Sequence, residues 1–432
     1  MKIKNYVFIL GTLISSVAFS QTGDTLTASF VSSGTTRSYL IYVPKIYDSL
    51  NVAVPLVMNM HGFGGSSSQQ MLNGDFRPIA DTANFIVVHP QGLTQNVSVT
   101  EFGIPLQIPS PGWAVFGTVA DGDADRKFIA DLVDTIKAHY KINSNRVYAT
   151  GFSQGGFICH DLAAFNSGAF AAIASVSGTM VPSHYSACAP MHPMPVMMIH
   201  GTSDPLIGYY GSVSTTGIFK NAVNSLSVDT ILTSWISFNK CIPLSDPASE
   251  YRLPDVNTSD GSTVEHLVYK GGLKGSSVEH YKVFGGGHTW PSLTGATSSG
   301  TLGTFGSLGN TNQDFNASKE IWRFFSQYTL MSSDSEVGNF SPLVVTTIAE
   351  IAGDYGLTVY PNPSNGIFNI ALRENTYSVI KIVNGLGETV LEKITTDNII
   401  TINLSNSPEG IYFYQITNKI GALESGKLII KD

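Results

Sequence analysis

An α/β architecture built on a mostly parallel sheet, followed by a small all-β unit, is what the sequence predicts, and three observations predict it. Near-continuous apolar runs recur at residues 54–60, 85–89, 170–176 and 195–199, the pattern of parallel strands buried on both faces. Between two of them, a short apolar strand at 147–149 leads into Gly151-Phe152-Ser153-Gln154-Gly155 and then into an Ala-rich helix around 157–165. From Leu357 onward, short alternating segments are separated by turn residues such as Ser364-Asn365-Gly366, which reads as a small β-sandwich.

At 432 residues the chain exceeds the size at which one core stops growing. The expected organisation is a leader at 1–20, an α/β domain at 21–330, a linker at 331–354 and a sandwich at 355–432. The leader carries Lys2 and Lys4, an apolar run at 7–19, and small residues Ala18 and Ser20 before Gln21. That is the pattern of a secretory signal, and its apolar run is too short to span a bilayer. Charged residues make up 13% and the net charge is -8, with no Lys/Arg cluster. This excludes nucleic acid and anionic membrane surfaces as expected partners. Three cysteines in a chain bound for an oxidising compartment allow one bridge. The expected bridge is Cys188 to Cys241, with Cys159 a small apolar residue on a helix.

Residues 25–30 and 37–43 alternate as an entry hairpin. The strand at 54–60 runs into His61-Gly62-Phe63-Gly64-Gly65, a loop whose backbone N–H groups can come close to a ligand. Phe63 is the expected oxyanion donor, with Gly62 and Gly64 as alternatives. After the strand at 85–89, a long Gly/Pro-containing loop carries Trp113. Asp121-Gly122-Asp123-Ala124-Asp125 resembles a calcium loop only at first sight, because Arg126 and Leu132 stand where Gly and Glu are required. It reads instead as a helix start, capped by Asp123 or Asp125, with Phe128, Ile129, Leu132, Val133 and Ile136 forming the buried face. No His/Cys/Asp set has metal-ligand spacing and no loop cradles phosphate, so neither metal nor cofactor is expected.

The segment from Gly151 to Gly155 has the mechanics of a strained strand-to-helix turn that presents Ser153, with the Gln154 N–H at the start of the helix as a second oxyanion donor. The strand at 195–199 runs into His200-Gly201-Thr202-Ser203-Asp204, placing an acid where open α/β sheets put their working residues. A helix at 231–239 and a strand at 264–269 follow. The strand at 280–284 then ends in Gly285-Gly286-Gly287-His288-Thr289-Trp290. Among ten histidines, only His288 has this loop setting. His61, His89 and His200 read as loop braces, while His184, His192, His266 and His280 read as surface or loop residues. Ser153, Asp204 and His288 follow strands in the order nucleophile, acid, base, which is the order of the α/β-hydrolase fold. His288 would take the serine proton, and Asp204 would hold the imidazole tautomer.

On residues 61–65, 125–129, 146–156, 195–205, 286–291 and 321–325 the chain resembles the secreted esterases that group feruloyl and acetylxylan esterases with polyhydroxybutyrate depolymerase-like enzymes. The resemblance covers about residues 25–330. One departure is Ala124, where relatives often carry a second Asp. The resemblance implies Ser153, Asp204 and His288 as the triad, Trp290 as a wall beside the acyl pocket, and a polymeric or polymer-attached ester as substrate, with a feruloyl or acetyl ester on plant xylan as the leading reading. Trp113 and Phe305 are further aromatic candidates for stacking, and the loop at 292–313 for a lip over the site. A polyhydroxyalkanoate polyester is the alternative substrate; a peptidase and a non-catalytic surface adhesin are the alternatives of other classes. The last segment resembles the C-terminal sorting domain of the type IX secretion system. Tyr360-Pro361-Asn362-Pro363, Gly410-Ile411-Tyr412 and the ending at 426–430 carry that likeness. It implies secretion machinery as a partner and a secreted or surface-attached protein.

Overall fold

The structure is a computed structural model that describes residues 22–47, 51–101, 104–213, 224–241, 250–294, 308–332, 340, 358–371, 378–384, 389–395, 397, 399–418 and 423–431. The expected leader, Phe305 and most of the expected linker lie outside the described residues. Two compact units divide between Leu343 and Val344.

In the first unit the strands are β1 (Thr25–Ser32), β2 (Thr35–Tyr42), β3 (Val54–Met60), β4 (Ile86–Pro90), β5 (Leu93–Glu101), β6 (Ile104–Gly112), β7 (Ile142–Phe152), β8 (Ala172–Val176), β9 (Val196–Gly201), β10 (Ser212–Val213), β11 (Asn224–Ser225), β12 (Glu250–Arg252), β13 (Thr263–Tyr269) and β14 (Val278–Phe284). The helices are α1 (Ser67–Asn73), α2 (Arg77–Ala83), α3 (Asp123–His139), α4 (Gln154–Phe165), α5 (Pro182–Ser186), α6 (Val228–Asn239) and α7 (Ala317–Phe325).

A 10-stranded sheet runs in the order β1-β2-β4-β3-β7-β8-β9-β14-β13-β12. From β4 to β14 every pairing is parallel, and antiparallel strands flank that block on both sides. The central strands are buried on both faces, and alternation splits their side chains between two cores. Leu56, Met58, Val147, Ala149 and Met198 face one core, with α3, α4 and α6; Val57, Tyr148, Ala174, Met197 and Ile199 face the other, with α7. Each such fully buried Val, Leu, Ile, Phe or Met stabilises by about 1.5–3 kcal/mol. Parallel strands all end on the same edge, so the segments after β3, β7, β9 and β14 gather there.

Four expectations change. Residues 93–112 are not loop but the β5–β6 hairpin, paired over its full length from Leu93↔Gly112 to Glu101↔Ile104. Pro105, Pro109 and Pro111 obscured it in the sequence, since Pro is tolerated in a strand only at an edge, and this ribbon is separate from the main sheet. Asp125 does not cap α3; buried, it accepts from Arg37 at 2.8 Å and from the Ala114 N–H at 2.9 Å. Cys188 and Cys241 are not bridged: all three thiols are free and buried. Cys241 Sγ turns toward Ser276 O, and both thiols pack within an apolar core, where burial raises their pKa values. His184, His192 and His280 are interior rather than surface residues. They bond respectively to Asp161, to the Ser167 and Pro193 carbonyls, and to Met198 O and Tyr209 OH.

The second unit has β15 (Thr358–Tyr360), β16 (Ile367–Ala371), β17 (Ser378–Val383), β18 (Thr389–Thr395), β19 (Ile399–Asn403), β20 (Gly410–Asn418) and β21 (Leu423–Ile430). They form a 3-stranded sheet, β15-β16-β19, and a 4-stranded sheet, β18-β17-β20-β21. Phe368, Ile370, Ile400 and Ile402 from the first sheet join Ile380, Ile382, Tyr412 and Leu428 from the second in one core. Inward-facing residues alternate with outward ones, as a sandwich requires.

Candidate active site

Ser153 stands between β7 and α4 with φ 56° and ψ -119°. A non-glycine residue there stores about 1–3 kcal/mol of strain and persists only when its surroundings over-determine it. They do: the Ser153 N–H donates to Val176 O at 2.9 Å, and its carbonyl accepts from Gly156 and Phe157 at 2.7 and 3.0 Å. Gly155 lets the helix start pass close under β3, because a Cβ there would run into the carbonyls of Met60 and His61. Gln154 is the first residue of α4, so its N–H belongs to the helix-start donors without an intrahelical acceptor. The partial positive charge of the helix N-terminus favours an anion at that place.

Asp204 lies just after β9. Its Oδ1 accepts from the N–H groups of Leu206 and Ile207, each at 2.8 Å, and its Oδ2 accepts from His288 Nδ1 at 2.7 Å. His200 ties the same turn by donating Nε2–H to Ile207 O at 2.8 Å. Burial lowers the pKa of His200, keeping it neutral beside the carboxylate. His288 reaches the site on the loop after β14. That loop is lashed on two sides. The Ser203 N–H donates to Gly286 O at 2.9 Å, and the N–H groups of Gly287 and His288 donate to Asn310 O and Leu308 O at 2.8 and 2.6 Å.

Since a carboxylate only accepts, His288 carries its proton on Nδ1 and leaves Nε2 as a lone-pair acceptor. That Nε2 is buried and has no hydrogen-bond partner among the described residues. The imidazole packs 4.9 Å, centroid to centroid, from the ring of Phe152, the neighbour of Ser153. Asp204 and His288 are thus joined directly, and Phe152 brings the neighbouring Ser153, itself buried, to the same sheet edge, with no hydrogen bond from Ser153 to His288 Nε2 among the described residues.

The His61–Gly65 backbone lies over the serine. A Cβ on Gly62 would come 3.1 Å from Ser153 Cβ. Gly64 no longer serves as an alternative donor, because its N–H goes to Pro111 O at 2.7 Å. His61 fixes the loop, donating from Nδ1 to Gly62 O at 2.7 Å and accepting at Nε2 from the Gly92 N–H at 2.9 Å. Burial lowers its pKa to about 4, so it stays neutral in this role.

The expected aromatic contacts are corrected. Trp113 is 0% and Trp290 1% exposed, so neither offers a face to a substrate. Trp290 donates Nε1–H to Ser318 Oγ at 3.2 Å and meets Phe76 edge-on in the core under the sheet. Trp113 donates Nε1–H to His61 O at 2.7 Å, and its backbone N–H goes to Gln154 Oε1 at 3.1 Å. The end of the loop expected as a lip, residues 308–312, instead braces His288; residues 295–307 lie outside the described residues. Nothing in residues 308–312 announces that bracing, since it works through backbone carbonyls that any residue possesses. Among the described residues no group of His, Cys, Asp and Glu could hold a metal ion, and no helix is long and apolar enough to cross a membrane.

A mostly parallel sheet with a serine at a strained strand-to-helix turn defines an α/β-hydrolase, and the class is that of serine carboxylic ester hydrolases. Residues 44–234 match the family described as Phospholipase/Carboxylesterase, and residues 358–431 match the family described as Secretion system C-terminal sorting domain. The chain is therefore an esterase carrying a C-terminal sorting domain, and a secreted or cell-surface protein. Among curated relatives, it is 25% identical over 308 residues to the bifunctional acetylxylan esterase/xylanase XynS20E of Neocallimastix patriciarum, covering 71% of this chain and 35% of that protein. It is 26% identical over 281 residues to poly(3-hydroxyalkanoate) depolymerase C of Paucimonas lemoignei, covering 63% of this chain and 64% of that one. It is 24% identical over 318 residues to feruloyl esterase D of Neurospora crassa, covering 71% of this chain and 86% of that one.

Proposed function

We propose that this chain hydrolyses feruloyl or acetyl esters on plant cell-wall xylan through an acyl-enzyme on Ser153. His288 is the base, Asp204 its orienting partner, and the N–H groups of Phe63 and Gln154 the oxyanion donors. What supports the reading is the bond from His288 Nδ1 to Asp204 Oδ2 at 2.7 Å, which leaves Nε2 as a buried acceptor, together with the packing of that imidazole on Phe152, the neighbour of Ser153.

In the reaction, Ser153 Oγ bonds to the ester carbonyl carbon while its proton passes to His288 Nε2. The oxyanion takes up charge against the two N–H groups, each contributing about 3 kcal/mol to the transition state. Collapse breaks the bond to the alcohol oxygen, which leaves with the proton from Nε2. Water then attacks the acyl-serine, gives one proton to Nε2, releases the acid, and Ser153 Oγ recovers that proton.

The names of two relatives support the two acyl groups: an acetylxylan esterase supports acetyl esters on xylan, and a feruloyl esterase supports feruloyl esters. A third, a polyhydroxyalkanoate depolymerase, supports the second reading, a polyester. The test compares the full chain with Ser153→Ala on feruloylated xylan fragments, acetylated xylan and a polyhydroxybutyrate suspension. Release of ferulate or acetate by the parent alone is the expected result. Clearing of the polyester without either release would transfer the reading to a depolymerase, and no Ser153-dependent turnover of any of them would leave the adhesin.

A further inference from the structure

We infer that Trp113 is a positioning residue for the oxyanion-binding backbone, acting through His61 and Gln154, with the base of the β5–β6 hairpin as the arm that holds it; this rests on the reading of Ser153 as the nucleophile.

The two N–H groups of Trp113 go to two different segments. Its indole Nε1–H donates to His61 O at 2.7 Å, and its backbone N–H donates to Gln154 Oε1 at 3.1 Å. Those are the two segments whose backbone N–H groups would face the oxyanion. A single residue, through its indole on one side and its backbone N–H on the other, therefore ties the two segments together.

The hairpin base adds two more ties to the same loop. Before β5, the Gly92 N–H donates to His61 Nε2 at 2.9 Å; within β6, Pro111 O accepts the Gly64 N–H at 2.7 Å. Gly112, between Pro111 and Trp113, packs its backbone against Phe63, where a Cβ would meet Phe63 Cδ2 at 3.4 Å. Trp113 is itself anchored from behind. The Ala114 N–H donates to Asp125 Oδ2 at 2.9 Å, and Asp125 Oδ1 is paired with Arg37 at 2.8 Å, the ion pair itself being buried.

A buried indole needs some acceptor, and any carbonyl would satisfy that need. The one used here precedes Gly62, which packs on Ser153. Oxyanion donors act by being fixed before charge develops, within about half an ångström of the productive place. On this loop only Phe63 among residues 62–65 has a side chain to anchor it, so much of the locking comes from the neighbouring hairpin base.

The test uses the full chain with Trp113→Phe, which keeps a ring and removes the Nε1–H, and Gln154→Met, which keeps length and the backbone N–H and removes Oε1. Readouts are kcat, KM and the inhibition constant of a trifluoromethyl ketone, whose adduct with Ser153 places an oxyanion against the donors. We expect kcat to fall about tenfold in each variant, with KM within about twofold and inhibitor affinity falling by the same factor as kcat. The double variant should lose less than the product of the two, because both cut one latch. A core variant on α3, Ile129→Val, should lose stability with kcat and inhibitor affinity unchanged. The inference is overturned if both folded variants keep kcat and inhibitor affinity within twofold, or if kcat falls while inhibitor affinity holds. Should Trp113→Phe not fold, Gln154→Met decides by the same readings. Turnover that survives Ser153→Ala would sink the nucleophile reading itself, a result separate from either variant.

Discussion

The two halves of the candidate site are held in different ways. On the acid–base side, Asp204 is satisfied within its own turn by Leu206 and Ile207, and His288 follows β14 on three glycines. On the oxyanion side, the His61–Gly65 loop depends on Trp113, Pro111 and Gly92, all from one hairpin outside the main sheet. The first side is held by the Asp204 turn and by backbone bonds from Ser203, Leu308 and Asn310 at the sheet edge, and the second by bonds from a hairpin outside the main sheet. Damage to the acid–base side should therefore remove chemistry outright, and damage to the other should reduce it by degrees.

The largest expected effect is on the locked pair. Asp204→Asn should cut kcat by about ten-thousand-fold, because the amide no longer enforces the Nδ1–H tautomer, with KM nearly unchanged. A loss under tenfold in steady-state kinetics would mean that the carboxylate does not orient His288. Next in size, Trp290→Ala should cost about 3–5 kcal/mol of stability, as removal of a buried Trp does. Its kcat at permissive temperature should stay near that of the parent; unchanged stability with a raised KM would restore Trp290 as a pocket wall.

The hairpin explains why half of the site was legible in sequence and half was not. Gly151 to Gly155, Asp204 and His288 sit at strand ends whose apolar runs are visible, so order and placement locate them. The triad residues needed no distant partner to be found. Trp113 was visible only as an aromatic, because its partners, His61 O and Gln154 Oε1, are brought near by β6, and three prolines hid that strand. Asp125 reads as a cap for the same reason: its partner Arg37 is 88 positions away. In the second unit, alternation alone gave most strands within a few residues, since a two-layer sandwich needs no other code.

A smaller effect should come from pH. Burial lowers the pKa of His61 from 6.5 to about 4, and those of His89, His160 and His280 from 6.5 to about 3. Between those values and 6.5 the unfolded chain binds more protons than the folded one, so stability falls as pH drops through that window and is fully present above it. His61 sits on the oxyanion side, so His61→Gln should reduce the slope of melting temperature against pH between 6.5 and 4. An unaltered slope would mean that its burial is not what the acid destabilisation reports. The smallest effect concerns the thiols. With Cys188 and Cys241 unbridged, a reductant should leave the melting temperature unchanged and a thiol count after denaturation should give three. A fall in melting temperature on reduction would restore the bridge.

The central claim, an acyl-enzyme on Ser153 formed with His288 as base, is tested most directly by rapid mixing with p-nitrophenyl acetate followed by intact mass and peptide mapping. The account predicts a burst of one nitrophenolate per chain and an acetyl adduct on Ser153, both absent in Ser153→Ala and in His288→Ala. Turnover of the ester by Ser153→Ala at the parent rate would contradict it.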